Sequence, residues 1–121
     1  MGGMERVTGI GGVSFGAKDP AVLSRWYADH LGVEPAPPAI AGMPWQQDGG
    51  PTLFSPTEEP GWTLAFRVRD LDAMITQLRA DGIPVDVDSE VTPHGRFASL
   101  TDPEGNPVRL WEPSPDQLGS A

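Results

Sequence analysis

Residues 13–19 read Val-Ser-Phe-Gly-Ala-Lys-Asp, and residues 64–70 read Leu-Ala-Phe-Arg-Val-Arg-Asp. Phe15 falls on Phe66, Lys18 on Arg69 and Asp19 on Asp70, at a constant offset of 51 residues (66 less 15). Each segment leads into a stretch of helical periodicity that stops at a glycine and resumes with an aliphatic residue, Gly32-Val33 and Gly82-Ile83. Each half also closes on a similar short run, Thr52-Leu53-Phe54-Ser55-Pro56 and Arg109-Leu110-Trp111-Glu112-Pro113. An internal repeat has to be read first, because it decides the architecture. Two copies of a strand–helix–strands unit predict two similar half-sheets, with equivalent positions facing each other across a shared cleft.

Length and composition agree with this reading. A chain of 121 residues is one domain by size, and a half of roughly 50 residues buries too little surface to stand alone. The apolar residues, 38% of the chain, fall in periodic runs, while the 15 Gly and 14 Pro sit at turns between them. A formal net charge of −9, from 17 acidic and 8 basic residues, argues against nucleic acid and against an anionic membrane surface. Cysteine is absent, which excludes disulfides, zinc–thiolate sites and thiol nucleophiles. The first six residues lack an apolar signal core, Arg6 stands where a myristoylation motif wants Ser or Thr, and no run approaches the roughly 20 apolar residues of a membrane span. The expectation is a cytoplasmic protein, with Met4 a candidate natural start.

The first helix is predicted over about Pro20 to Leu31. Asp19 is a suitable N-cap and Pro20 a suitable first helical residue, since its missing N–H costs nothing there. Leu23, Trp26, Tyr27, His30 and Leu31 form the core-facing stripe. In the second helix Asp70 caps, Leu71, Met74, Ile75 and Leu78 form the stripe, and Gly82 ends it. Between Trp62 and Val68 the residues alternate, with Leu64, Phe66 and Val68 on one face and Thr63, Ala65 and Arg67 on the other. In the first copy Val13, Phe15 and Ala17 share a face. The matching Phe15 and Phe66 place that greasy face against the helices and leave the other face to line the cleft. Arg96–Thr101 and Pro107–Glu112 read as a hairpin around Asp102-Pro103-Glu104-Gly105-Asn106, with a shorter analogue at Asp48-Gly49-Gly50. The Pro-rich residues 35–44 read as a loop over one cleft mouth. Residues 57–61 read as the linker between modules.

This order of elements, closing on Asp-Pro-Glu-Gly-Asn-Pro-Val-Arg-Leu-Trp-Glu-Pro at residues 102–113, resembles the vicinal oxygen chelate superfamily of glyoxalase I, bleomycin-resistance proteins and extradiol dioxygenases. The resemblance covers residues 7–113. It implies a single α+β domain of two pseudo-symmetric βαββ(β) modules, about 7–56 and 62–113, forming a curved mixed-sheet cup with the helices on its convex side. Residues 1–6 and 114–121 are then flexible ends. It also implies a homodimer. Catalytic members hold a divalent metal through four positions, two per module: a residue seven before each capping Asp and one on each closing strand. Here those positions carry Gly12, Thr63, Thr52 and Arg109. None is a good donor, since divalent ions want carboxylate, imidazole or thiolate. The expectation is therefore no metal and no cofactor.

A cup with Phe54 and Trp111 as aromatic walls, and Thr52, Thr63, Arg67 and Arg109 as polar points, suits a small organic molecule. Ser99 joins Arg109 there if the closing hairpin has a five-residue loop; a one-residue slip would reverse its face. Alternatively, Arg109 pairs with a nearby acid and the aromatics fill a closed core. His94 reads as a general base at the rim or as an exposed loop residue. His30 packs its ring or complements the helix dipole. Ser55 and Glu112 fall on the face away from the cup, and Met43 and Trp45 suit a lid or a dimer contact. Three functions fit: a metal-independent small-molecule-binding protein, a superfamily enzyme (lyase, isomerase or dioxygenase type) using an atypical metal site or Arg109 as electrophile, and a non-catalytic dimeric interaction module.

Overall fold

A computed structural model describes residues 5–6, 10–33 and 45–115. Helix α1 spans Pro20–Leu31 and α2 spans Leu71–Ala80. Both start as the sequence predicts: Asp19 accepts from Val22 N–H and Asp70 from Ala73 N–H, satisfying donors that a helix N-terminus leaves orphaned. Gly32 (φ 75°) and Gly82 (φ 79°) adopt the left-handed conformation that lets the chain turn out of each helix. Leu23 and Tyr27 of α1, and Leu71, Ile75 and Leu78 of α2, are buried, with Trp26, Leu31 and Met74 packed against them.

Four strands follow: β1 (Leu64–Arg67), β2 (Asp86–Val87), β3 (Gly95–Thr101) and β4 (Pro107–Pro113). Their order across the sheet is β1-β4-β3-β2, with β1 parallel to β4 and the other pairs antiparallel. The sheet is mixed and open, and both helices cover one face of it. That face carries Phe66, Val108, Leu110, Ala98 and Leu100, which join the helix residues in one core. Leu71, Leu78, Leu110 and Val108 are fully buried, each worth about 1.5–3 kcal/mol relative to exposure. Arg96 on this face reaches out to Asp72 of α2 at 2.9 Å. Glu112, read from its parity as a helix-side residue, accepts the Leu71 N–H at 2.7 Å and so helps to cap α2.

Among the described residues, all four strands come from the second copy of the repeat. Residues 10–19 and 45–63 include no strand, and the structure does not display the pseudo-symmetric first half-sheet. The composition gives a physical reason. Gly11, Gly12 and Gly16 dilute the first copy of the strand, where β1 has Leu64, Ala65, Phe66 and Arg67; glycine both costs backbone entropy and offers nothing to pack. Pro51 and Pro56 bracket the other expected strand, each removing an N–H from any ladder. Asp48-Gly49-Gly50 likewise forms no hairpin. Phe15 nevertheless lies edge-on to Tyr27 at 6.2 Å, and Phe66 meets the same ring at 6.1 Å. The two matched phenylalanines thus flank one tyrosine of α1. The loop 35–44 and Met43 lie outside the described residues.

Candidate functional site

The helix-free face of the sheet is set by strand parity. Arg109 and Trp111 on β4 lie opposite Ser99 and Phe97 on β3, and beside Ala65 and Arg67 on β1. The β3–β4 ladder runs to Thr101↔Pro107, so the closing loop holds five residues and Ser99 stands across from Arg109. On the other side Asp86 of β2 pairs with Ser99.

Arg109 is fixed from three directions. Its Nη1 donates to Ser99 Oγ at 3.2 Å and its Nη2 to Asp88 Oδ2 at 3.0 Å. Its Cζ lies 4.7 Å from the centre of the Phe97 ring, close enough for a cation–π attraction of about 0.5–2 kcal/mol. Phe97 in turn stacks on Trp111, with ring planes 10° apart and centroids 6.2 Å apart. Trp111 is only 2% exposed, and its Nε1–H donates to the His94 carbonyl at 2.9 Å. Trp111 therefore belongs to the floor, where it supports Phe97. The ion pair with Asp88 realises the acid-pairing alternative for Arg109, but it is half-open: the side chains are 34% and 39% exposed. Such a pair is worth at most about 1 kcal/mol.

Arg67 is committed elsewhere. Its guanidinium donates to the carbonyls of Pro51 (2.6 Å) and Asp48 (2.7 Å), clasping the segment 48–51. Gly50 lies so close that a β-carbon there would come within 2.8 Å of Arg67 Nε. Arg67 thus holds a wall beside β1. Thr63 stands one residue before β1 and is exposed. Thr52 is exposed and Phe54 is 81% exposed; neither is drawn to Arg109 in this chain. Gly12 is exposed, and a β-carbon there would meet nothing within 4 Å. Of the expected set, Ser99, Arg109 and Trp111 come together; Arg67 borders them. Phe97 and Asp88 complete the cluster and lie outside the expected set. Strand parity points to Phe97, two residues from Ser99 on the same face. Nothing comparable points to Asp88, because its position depends on the two-residue strand β2.

The histidines take other parts. The His94 ring is exposed, and the residue acts through its carbonyl, which accepts from Trp111 and from Ser114 N–H. His30 Nδ1 lies 3.1 Å from Asp81 Oδ2, joining the ends of the two helices. Trp45 meets Phe66 edge-on at 6.2 Å.

The glyoxalase-like domain family matches residues 12–111. The chain belongs to that family. No curated protein matches it. Among solved structures, this glyoxalase-like chain is similar to TnmS3, an antibiotic binding protein from Streptomyces sp. CB03234, at 25% identity and a TM-score of 0.60, covering 92% of this chain and 100% of that one. It is also similar to a lactoylglutathione lyase from Agrobacterium tumefaciens, at 21% identity and a TM-score of 0.61, covering 89% and 96%. The second likeness is one of fold alone.

The fold family implies a divalent metal, and the residues here do not fit one. The four positions that the resemblance assigns to it offer no side chain at Gly12, two neutral hydroxyls at Thr52 and Thr63, and a guanidinium at Arg109. A cation at a few ångströms from Arg109 would be repelled by several kcal/mol even at an effective dielectric of about 20. Among the described residues no three Asp, Glu or His side chains gather as a ligand set. Nor is any described helix long and apolar enough to cross a membrane.

Proposed function

We propose that the chain is a metal-independent small-molecule-binding protein whose ligand lies on the helix-free face of the sheet. The carrying observation is Arg109, held over Phe97 and beside Ser99 in the middle of that face. A fixed cation on an aromatic floor orients a ligand without a metal, and a few directed polar groups among apolar ones are what a small-molecule site needs. The likeness to an antibiotic binding protein supports binding as the function. The net charge of −9 favours a small molecule over nucleic acid. The working unit in this reading is a homodimer, whose second chain covers the apolar surface that the first half leaves exposed.

The test joins metal analysis to binding. Protein dialysed against a chelator is expected to carry no stoichiometric transition metal and to retain its ligands in a fluorescence screen that follows its four tryptophans. Arg109→Ala should weaken binding far more than it changes stability. About one tightly held metal per chain, or binding indifferent to Arg109, overturns the proposal.

A further inference from the structure

We infer that Asp88 is an internal stand-in for an anionic group of the ligand, so that this face selects organic acids, carboxylates above all, which displace Asp88 from Arg109. The inference rests on the binding reading above and names its ligand class. Asp88 follows the two-residue edge strand β2, and its own N–H donates to the Phe97 carbonyl of β3 at 3.0 Å. Its carboxylate meets Arg109 through a single oxygen. A guanidinium has five N–H donors in a planar fork, and among the described residues Arg109 uses two, one to Ser99 and one to Asp88.

The exchange favours an incoming acid on three counts. A carboxylate arriving over the sheet can engage the fork through two parallel bonds where Asp88 makes one, and bidentate pairs are the stronger. The Asp88 carboxylate is already 39% exposed and can return to water at the sheet edge. Phe97 and Ser99 keep the guanidinium in place while its partner changes, so the receptor is already oriented. A cationic ligand finds the reverse arrangement. The acids Asp86 and Asp88 lie toward the β2 edge, and the centre of the face is occupied by positive charge.

The probes are 2-naphthoate and its neutral counterpart 2-naphthamide, titrated calorimetrically against the full chain and the variants Asp88→Asn, Asp88→Ser and Arg109→Gln. Naphthoate should bind the wild type more tightly than naphthamide. Removing the stand-in charge by either Asp88 substitution should tighten naphthoate by about three- to fivefold, the worth of a half-exposed pair, and move naphthamide less than twofold. Arg109→Gln should erase the preference for the acid. Two different Asp88 substitutions guard against a local folding defect in either one. If naphthamide binds as well as naphthoate, or if both Asp88 variants weaken naphthoate, the inference falls while the binding reading stands. If neither compound binds any variant, the binding reading falls and the inference with it.

Discussion

The hydroxyl of Tyr27 donates to the buried Oδ2 of Asp102 at 2.7 Å, joining helix α1 to the loop that closes β3 on β4. The same carboxylate accepts from Glu104 N–H (2.9 Å), Asn106 N–H (3.0 Å) and Asn106 Nδ2 (2.8 Å). One side chain thereby shapes the closing loop and fastens the first half of the chain to the second. Burying a carboxylate is costly unless it is hydrogen-bonded, and Asp102, 4% exposed, is fully provided for. The loop that carries the family resemblance is also the joint between the two copies of the repeat.

Removing the two partners should therefore have unequal effects. Tyr27→Phe deletes one donor and leaves Asp102 bonded within its loop, for an expected loss of about 1 kcal/mol. Asp102→Ala strands the Tyr27 hydroxyl and the loop donors together, for an expected loss of about 3 kcal/mol. Urea unfolding of both variants and the double mutant checks this. The double mutant should cost less than the sum of the two, because Tyr27→Phe leaves no hydroxyl for the loss of Asp102 to strand.

The same pair predicts how stability responds to pH. Burial alone pushes the Asp102 carboxyl up, but the bonds from Asn106, Tyr27 and Glu104 outweigh it and hold the group below the usual carboxylate range. A depressed folded value means stability present above the unfolded value of about 3.9 and lost as pH falls through the folded one. Burial, then the Asp102 bond and charge, push the Tyr27 hydroxyl above the usual phenol range. That contribution is complete below about pH 10 and is lost on rising further. Melting temperature should fall below about pH 4 and above about pH 10. Tyr27→Phe should flatten the alkaline arm; an unchanged arm would remove Tyr27 as its cause.

Glu104 supplies a second tie at the same joint. Its two oxygens accept from Lys18 N–H (2.6 Å) and Asp19 N–H (3.0 Å), immediately before α1. Glu104→Ala should cost about 1 kcal/mol and raise amide exchange at residues 18–23 above that of α2. Uniform exchange across both helices would show that the contact holds nothing in place.

Gly95 begins β3 with φ at 129°, and a β-carbon there would run into the carbonyl oxygen of Glu112 and the Ser114 amide nitrogen. Both obstacles are backbone, one within β4 and one at the residue that follows it, and cannot swing aside. Gly95→Ala should therefore destabilise by about 3 kcal/mol or more. It should also disturb the Trp111 bond to His94, seen as a shift in tryptophan emission. A loss under about 1 kcal/mol would show that the turn relaxes freely.

Much of this arrangement could be read from residue order alone. Capping aspartates, helix stripes and strand parity each depend on neighbours a few residues away, and they place α1, α2 and the face shared by Arg109, Trp111 and Ser99. The first half-sheet was not legible in the same way. Val13, Phe15 and Ala17 repeat the apolar alternation of Leu64, Phe66 and Val68, but alternation does not reveal whether a partner strand is present to bond with. The acid on Arg109 was hidden for a related reason. Asp88, Glu90 and Glu112 are equivalent as charges, and only the register of β2 on β3 selects Asp88.

The exposed apolar residues lead to the last prediction, a homodimer. Trp62, just before the edge strand β1, is 97% exposed, and Phe54 is 81% exposed. Val13 and Phe15 are about half exposed, at 59% and 47%. Apolar surface of this kind beside an open strand edge is what association covers. A twofold partner would cover it on both chains at once. Sedimentation at micromolar concentration should show a species of about twice the 12.9 kDa chain. Trp62→Glu should shift it toward the single chain, because a charge would then have to be buried at the contact. A single 12.9 kDa species for the unaltered chain rejects the dimer and leaves the proposed ligand face to work within one chain.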